Sequence, residues 1–257
     1  MRRSTGGVKI IVSSSVELFA IADFPRIKPG DDLASSIVRF PLQQHDIVVL
    51  AQKVVSKSED RIVDLASVKP DARAIEVAAK TEKDPRLVQL VLDESSEIMR
   101  ARPGLLITRH RLGFIMANAG IDASNVGRSG AVILLPVNPD QSARRIAGEL
   151  KRRTGHDIGV IITDSWGRPW RLGTTGFAIG QSGPPAIRDM RGIADMDGRI
   201  LETSVIGTGD ELAAAASLLM GQAAEAKPAI VIRGFAYENS SDTAATLIRP
   251  AEGDLFQ

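Results

Sequence analysis

The stretch GVIITDSWGRPWR, Gly159 to Arg171, runs from a short β-branched apolar segment into an aspartate, a hydroxyl, both tryptophans of the chain and two arginines. About four to eight consecutive apolar residues bounded by turn formers read as a strand buried on both faces, and GVIIT is such a run. KIIV (Lys9–Val12), IVVL (Ile47–Leu50), GFIMA (Gly113–Ala117), AVILL (Ala131–Leu135) and AIVIR (Ala229–Arg233) repeat the pattern. Helix signals punctuate them. Asp84-Pro85 places a capping side chain before a proline ahead of an apolar face formed by Leu87, Val88, Leu90, Val91 and Leu92. Asn138-Pro139 repeats the device before Ala143–Leu150, and Thr208 with Glu211 has capping-box spacing ahead of ELAAAASLLMGQAAEA, the strongest helix signal. The chain is therefore predicted to be α+β, a mixture of buried strands and helices.

Outward from that core, 257 residues with 44% hydrophobic content suffice for one large domain or two modest ones. The sequence has no repeat, low-complexity tract or Gly/Ser/Pro linker, so a single domain over 1–257 is expected, its subdomains packed together rather than tethered. The 32 Lys and Arg nearly cancel the 31 Asp and Glu, which argues against a nucleic-acid partner and for small ligands. Without cysteine there is no disulfide, thiolate metal site or thiol nucleophile, as suits the cytoplasm. The apolar run near the N-terminus is interrupted by Lys9 and too short for a signal-peptide core, and residues 1–7 are expected to be flexible. No segment reaches the roughly 18 uninterrupted apolar residues of a membrane span.

Several familiar sites are absent: no GxxxxGK[ST] loop, GxGxxG, HExxH or GxSxG occurs. His45, His110 and His156, the only three histidines, read as structural. Asp164 is expected at the end of the GVIIT strand, where open α/β proteins place ligands. With the Ser165 hydroxyl it either holds a hard divalent ion or caps a turn before Gly167 and Pro169. Asp122 and Asn125, between glycines after GFIMA, allow the same two readings. Lys57, just past IVVLAQKVV at what reads as a sheet edge, either reaches phosphate oxygens or lies on a solvated turn. Trp166 and Trp170 serve as core or as a platform for a flat ligand. Arg168 and Arg171 bind anions or form surface ion pairs.

The ordered motifs AQKVVSKSE, RLGFIMANAGIDASNVG, ITDSWGRPWRLGTTGFAIG, MGQAAEAKPAIVIRG and a final DLF resemble those of the coenzyme F420-0:L-glutamate ligase family, from about Val16 to the C-terminus. The resemblance is to the stand-alone form, without the nitroreductase-like C-terminal domain of actinobacterial members. It implies a family-specific ligase fold of two closely packed, interleaved subdomains, and an intertwined homodimer. It also implies a GTP-dependent reaction joining L-glutamate to the phospholactyl carboxylate of the deazaflavin precursor F420-0, then adding γ-linked glutamates. Carried over by motif, Asp122, Asp164, Ser165 and Gln222 would hold Mg²⁺ or Mn²⁺, with K⁺ as a further ion. Phe24, Pro25, Arg26, Ile27, Gln52, Lys57 and Asn125 would line the GTP site, together with Met220, Gly221, Gln222, Ala223, Ala224, Glu225, Ala226 and Lys227. Asp122, Asp164 and Lys57 would carry catalysis. Three positions depart from the family pattern: Ser165 is often threonine there, Gln52 stands where some members have serine, and Asp23-Phe24-Pro25 replaces Gly-Leu-Pro. Two other readings are compatible with the same motifs: the same ligation on a different acid, and a nucleotide-binding regulator without turnover.

Overall fold

A computed structural model describes residues 15–124 and 126–254. The KIIV run, residues 1–7, Asn125 and the last two residues of the DLF motif lie outside them.

The chain opens with β1 (Glu17–Ala20) and α1 (Leu33–Ile37), the latter capped by Asp32, whose carboxylate accepts the Ala34 N–H at 3.0 Å. IVVL forms β2 (Ile47–Ala51), and AQKVVSKSE turns at once into α2 (Gln52–Ser58). An excursion follows through β3 (Ile62–Asp64), α3 (Ala72–Thr81), α4 (Pro85–Asp93), β4 (Ser95–Arg102), β5 (Leu105–His110), β6 (Ile115–Ala117) and β7 (Ala131–Ile133). The chain returns through α5 (Pro139–Thr154) to the long hairpin of β8 (Gly159–Arg168) and β9 (Arg171–Ser182). It closes with the short pair β10 (Arg188–Asp189) and β11 (Val205–Ile206), then α6 (Thr208–Met220) and β12 (Ala229–Arg233).

The central sheet has the order β1-β12-β2-β8-β9, and only β2 and β8 run parallel, with Ala51 opposite Thr163. Successive side chains alternate across it. Val48, Leu50, Val160 and Ile162 face one layer with Ile146 and Leu150 of α5; Ile47, Val49 and Ile161 face the other with Leu212, Ala213 and Ala216 of α6. Burial on both faces is what makes these strands read as unbroken apolar runs. The excursion has its own core, in which Val88 and Val91 of α4 meet Leu106, Val132 and Leu134 behind the β4-β5-β6 sheet. The excursion lies between β2 and α5, both of which pack in the central-sheet core. Among the described residues no helix is long and apolar enough to cross a membrane.

The expectations for two elements are corrected. GVIIT does not end at Thr163: the strand continues to Arg168, and Asp164 sits inside it opposite Phe177. Its partner β9 is hard to recognise in sequence because Gly176 and Gly180 dilute the apolar pattern. Both are there to admit helices, since a Cβ on Gly176 would lie 2.6 Å from the Ala213 carbonyl oxygen, and one on Gly180 2.4 Å from the Pro139 carbonyl carbon. Finally, α6 stops at Met220, where Gly221 takes φ 73°, and its N-cap is Gly207 with no side-chain cap, so GQAAEA is a loop and Thr208 is already helical.

Candidate active site

The site is assembled by the parallel neighbours β2 and β8. Where β2 ends, α2 begins without a connecting loop, so its first turn lies beside Thr163 and Asp164. This is where β2 ends and its parallel pairing with β8 stops, although β8 itself continues to Arg168; ligand crevices in such sheets usually lie at that end of a parallel pair. Asp122 reaches the same place from the excursion. After β6 the left-handed residues Asn118 (φ 50°) and Ala119 (φ 51°) reverse the chain, and the backbone of Asp122 then pairs with Ile133.

Lys53 on α2 joins the two sources. Its Nζ lies 2.6 Å from Asp122 Oδ2 and donates to Ser124 Oγ at 2.6 Å. Asp122 also accepts the Ser124 N–H at 2.6 Å and the Ser124 hydroxyl at 3.0 Å. Burial pushes the Asp122 carboxyl up, but hydrogen bonds from Lys53 and Ser124 and the Lys53 charge reverse this and hold it below the ordinary range. Asp164 is in the opposite state. Burial pushes it up to about 6, the Asp122 charge adds to the rise, and the Ser165 N–H and the Lys53 charge only partly oppose it. The two carboxylates and one ammonium therefore sense one another, and the set is short of positive charge around Asp164.

Ser165 belongs to a different group. It is the next residue along β8, so its side chain leaves the opposite face, where its Oγ donates to Gln222 Oε1 at 2.8 Å. Its cross-strand neighbour Gly176 packs on α6. The four residues expected to hold divalent ions are thus brought together two by two, Asp122 with Asp164 and Ser165 with Gln222. Among the described residues no three Asp, Glu or His side chains gather at a point. Two carboxylates nevertheless fit Mg²⁺ or Mn²⁺ chemistry, in which one or two protein carboxylates share the ion with phosphate oxygens and water. The Lys53 ammonium on Asp122 already stands where a cation is favoured.

Lys57 lies on the last turn of α2 rather than at a sheet edge. It is four residues from Lys53 and so on the same helix face. Burial and then the Lys53 and Arg26 charges lower its pKa, which places three cations near one another. Gln52 opens α2 and is buried; its Oε1 accepts the Ser56 hydroxyl at 2.9 Å, whereas its Nε2 is enclosed without a hydrogen-bond partner. Phe24 packs on the α5 side of the core and Ile27 is buried, with Pro25 and Arg26 exposed between them. From Met220 the chain leaves α6 as the Gly221–Lys227 loop, and the carbonyl of Pro228 accepts the Ala51 N–H at 2.8 Å, tying the loop to the start of α2. Within it Glu225 folds back to accept the Ala223 N–H at 2.8 Å.

The remaining candidates divide. Trp166 is half-buried and stacks on Phe177 with centroids 4.4 Å apart, 6.0 Å from Phe114. Trp170 is 88% exposed at the tip of the hairpin, with φ 63°. Arg171 is exposed, and Arg168 Nη1 is enclosed without a hydrogen-bond partner. The histidines fill structural positions: His110 is buried beside Glu94, His45 meets Tyr237 edge-on, and the His156 N–H donates to Thr154 Oγ1. Sequence reading missed Lys53 and Ser124. The signal for Lys53 was its spacing of four from Lys57, legible only once VVSKSE is seen as helix.

Fold and site define an α+β protein with a charged cluster where two parallel strands cease to pair, in which two acids from different parts of the chain stand beside a lysine-bearing helix. The chain belongs to the F420-0:gamma-glutamyl ligase family, whose sequence profile matches residues 22–234. It is 42% identical over 250 residues to the coenzyme F420:L-glutamate ligase of Methanothermobacter thermautotrophicus, covering 94% of this chain and 99% of that protein. It is 46% identical over 222 residues to the ligase of the same name from Archaeoglobus fulgidus, covering 85% and 88%. With the corresponding Methanocaldococcus jannaschii protein it is 41% identical over 237 residues, covering 91% and 94%.

Proposed function

We propose that this chain joins L-glutamate to F420-0 with GTP as the activating co-substrate, and then extends the product through γ-carboxylates. The name carried by relatives over 40% identical along nearly the whole chain supports the acceptor and the amino acid. The single structural observation that carries the chemistry is that Lys53 pairs with Asp122 and that both charges act on the buried Asp164.

A carboxylate does not condense with an amine in water, so its oxygen must first acquire a leaving group. In the proposed sequence a carboxylate oxygen of the acceptor attacks the γ-phosphorus of GTP and GDP departs, leaving an acyl phosphate. The glutamate amine attacks the acyl carbon, the amide forms, inorganic phosphate leaves with the former carboxylate oxygen, and the amine releases a proton. Lys53, Lys57 and Arg26 would bind the phosphate oxygens as point charges and a fork of donors. Asp122 and Asp164 would hold the divalent ion, which when bound supplies charge neutralisation of the phosphates. Asp164 is the more demanding of that ion, because its carboxyl is the one that burial pushes up to about 6. Gln222 and the loop to Lys227, anchored on Ala51, would close over the nucleotide. The reading includes a homodimer in the cytoplasm.

The acyl-phosphate route has its own test. With ¹⁸O in the acceptor carboxylate, one label should appear in the phosphate released during turnover. Unlabelled phosphate accompanying amide formation would overturn it.

A further inference from the structure

A cavity of about 260 Å³ opens at the free edge of the central sheet, beside β9. Its walls are Phe114, Ile115, Trp166 and Phe177, with Asp210 and Arg249 at its polar side. Specific sites for drug-sized molecules begin near roughly 300 Å³. This one is therefore sized for one flat ring system rather than for a whole nucleotide or a long anionic tail. Three of its walls are aromatic, the surface on which planar heterocycles stack.

The polar side suits a ring with an amide-like edge. Asp210 accepts the Ala178 N–H on Oδ1 at 2.9 Å, and burial pushes its carboxyl up against the pull of that bond. A carboxyl in that position can pair with an N–H at a heterocycle's rim. Arg249 is exposed, donates to the Gly253 carbonyl at 3.3 Å, and Arg109 stands at the cavity on the other side, paired with Glu97 at 3.3 Å.

Both walls lead to the acids. Phe177 lies directly across the hairpin from Asp164, and Trp166 is two residues further along the same strand face. On the other wall Ile115 begins β6, which runs through the tight turn into Asp122. Asp122, Lys53 and Asp164 do not line the cavity; its link to them is that Phe177 is the cross-strand partner of Asp164 and that Ile115 opens the strand leading to Asp122.

We infer that the Phe114–Ile115–Trp166–Phe177 cavity is the seat for a fused-ring heteroaromatic chromophore, the deazaflavin end of the acceptor, with the nucleotide bound elsewhere along α2. The inference rests on the proposed ligase reading for the identity of the ring, and its location stands on the cavity.

The experiment uses the full-length protein, with the ring-and-ribityl deazaflavin chromophore lacking the phosphodiester as probe. Trp170→Phe removes the exposed tryptophan and leaves Trp166 as the sole tryptophan emitter. Bound chromophore should quench that emission, because Trp166 forms the cavity wall. Ile115→Trp, at a position 36% exposed on β6, should fill the cavity and raise the chromophore Kd by about 30-fold or more with GTP binding unchanged. Chromophore binding with no quenching of Trp166, or an unchanged Kd in a folded Ile115→Trp protein, would overturn the assignment. If chromophore binds with both signatures but no glutamate is ever ligated, the cavity assignment holds and the ligase reading falls. If glutamate is ligated and the Ile115→Trp protein keeps its acceptor KM, the cavity assignment falls and the ligase reading holds.

Discussion

Lys53 Nζ lies 2.6 Å from Asp122 Oδ2, and this contact links the helix that follows the central strand β2 to the far end of the inserted lobe. Both side chains keep substantial exposure, 26% and 36%, so as an ion pair it contributes at most about 1 kcal/mol to stability. Its importance is positional: it sets an ammonium beside two carboxylates.

Lys53→Ala should therefore leave melting nearly unchanged and lower kcat/KM for ligation by roughly 30- to 1000-fold, the loss expected for one electrostatic donor at developing charge. Lys57→Ala should do the same for kcat/KM with GTP as the varied substrate. Steady-state kinetics beside thermal melts check both, and normal kinetics in either variant would remove that lysine from the site.

Glu94 predicts the acid limb of stability. Burial pushes its carboxyl up, but His110 and Arg61 as donors, with the Arg61 and Arg111 charges, bring it down to about 2 from an ordinary 4.5. The carboxylate form is thus favoured by the fold, its contribution is complete well above pH 4.5, and it is lost as pH falls toward 2. At pH 7 Glu94→Gln should cost about 2–3 kcal/mol in urea unfolding, with Arg61, which donates to Glu94 Oε1 at 2.7 Å, left uncompensated. The difference between variant and parent should shrink steadily from pH 5 to pH 2.5. A constant difference would show that the ionised form is not what His110, Arg61 and Arg111 stabilise.

Gly176→Ala tests the approach of α6 to the hairpin. The added Cβ would meet the Ala213 carbonyl oxygen at 2.6 Å, a backbone atom that cannot swing aside. A destabilisation of about 1–3 kcal/mol is expected, with loss of activity because Ser165 and Gln222 meet across the same seam. Unchanged unfolding free energy would mean that α6 is free to shift.

The proposed dimer is consistent with the large apolar side chains left in solvent: Trp170, Leu172 (98% exposed), Met196 and Leu218 (80%). Light scattering at micromolar concentration should give about twice the 27.5 kDa of one chain, and Leu172→Asp should shift the mass toward one chain. A parent protein of single-chain mass would refute the assembly.

Legibility in the sequence followed burial. β2, β8 and β12 are covered on both faces and so announce themselves as apolar runs, and Asp84-Pro85 and Asn138-Pro139 mark the starts of α4 and α5 by local capping chemistry. β9 was hidden because helices on both sides demand glycine at positions 176 and 180. Asp164 was found as a residue but misplaced as a strand end, since nothing local reveals that its partner strand extends to Arg171. The pairing of Asp122 with Asp164 depends on how an inserted lobe folds back on the sheet, which no spacing encodes. Lys53 was concealed for a similar reason: a seven-residue helix directly after a strand carries too little periodicity to be read.

The proposed ligation is tested most simply in a single reaction mixture of purified protein, GTP, Mn²⁺, L-glutamate and F420-0, with products resolved by mass. One GDP per amide formed is expected, with an acceptor heavier by one glutamyl residue, then by successive ones. The Asp164→Asn protein, folded as judged by melting, should lose most of this turnover. GTP bound but not consumed, or near-normal GDP release with glutamyl product in the Asp164→Asn protein, would contradict it.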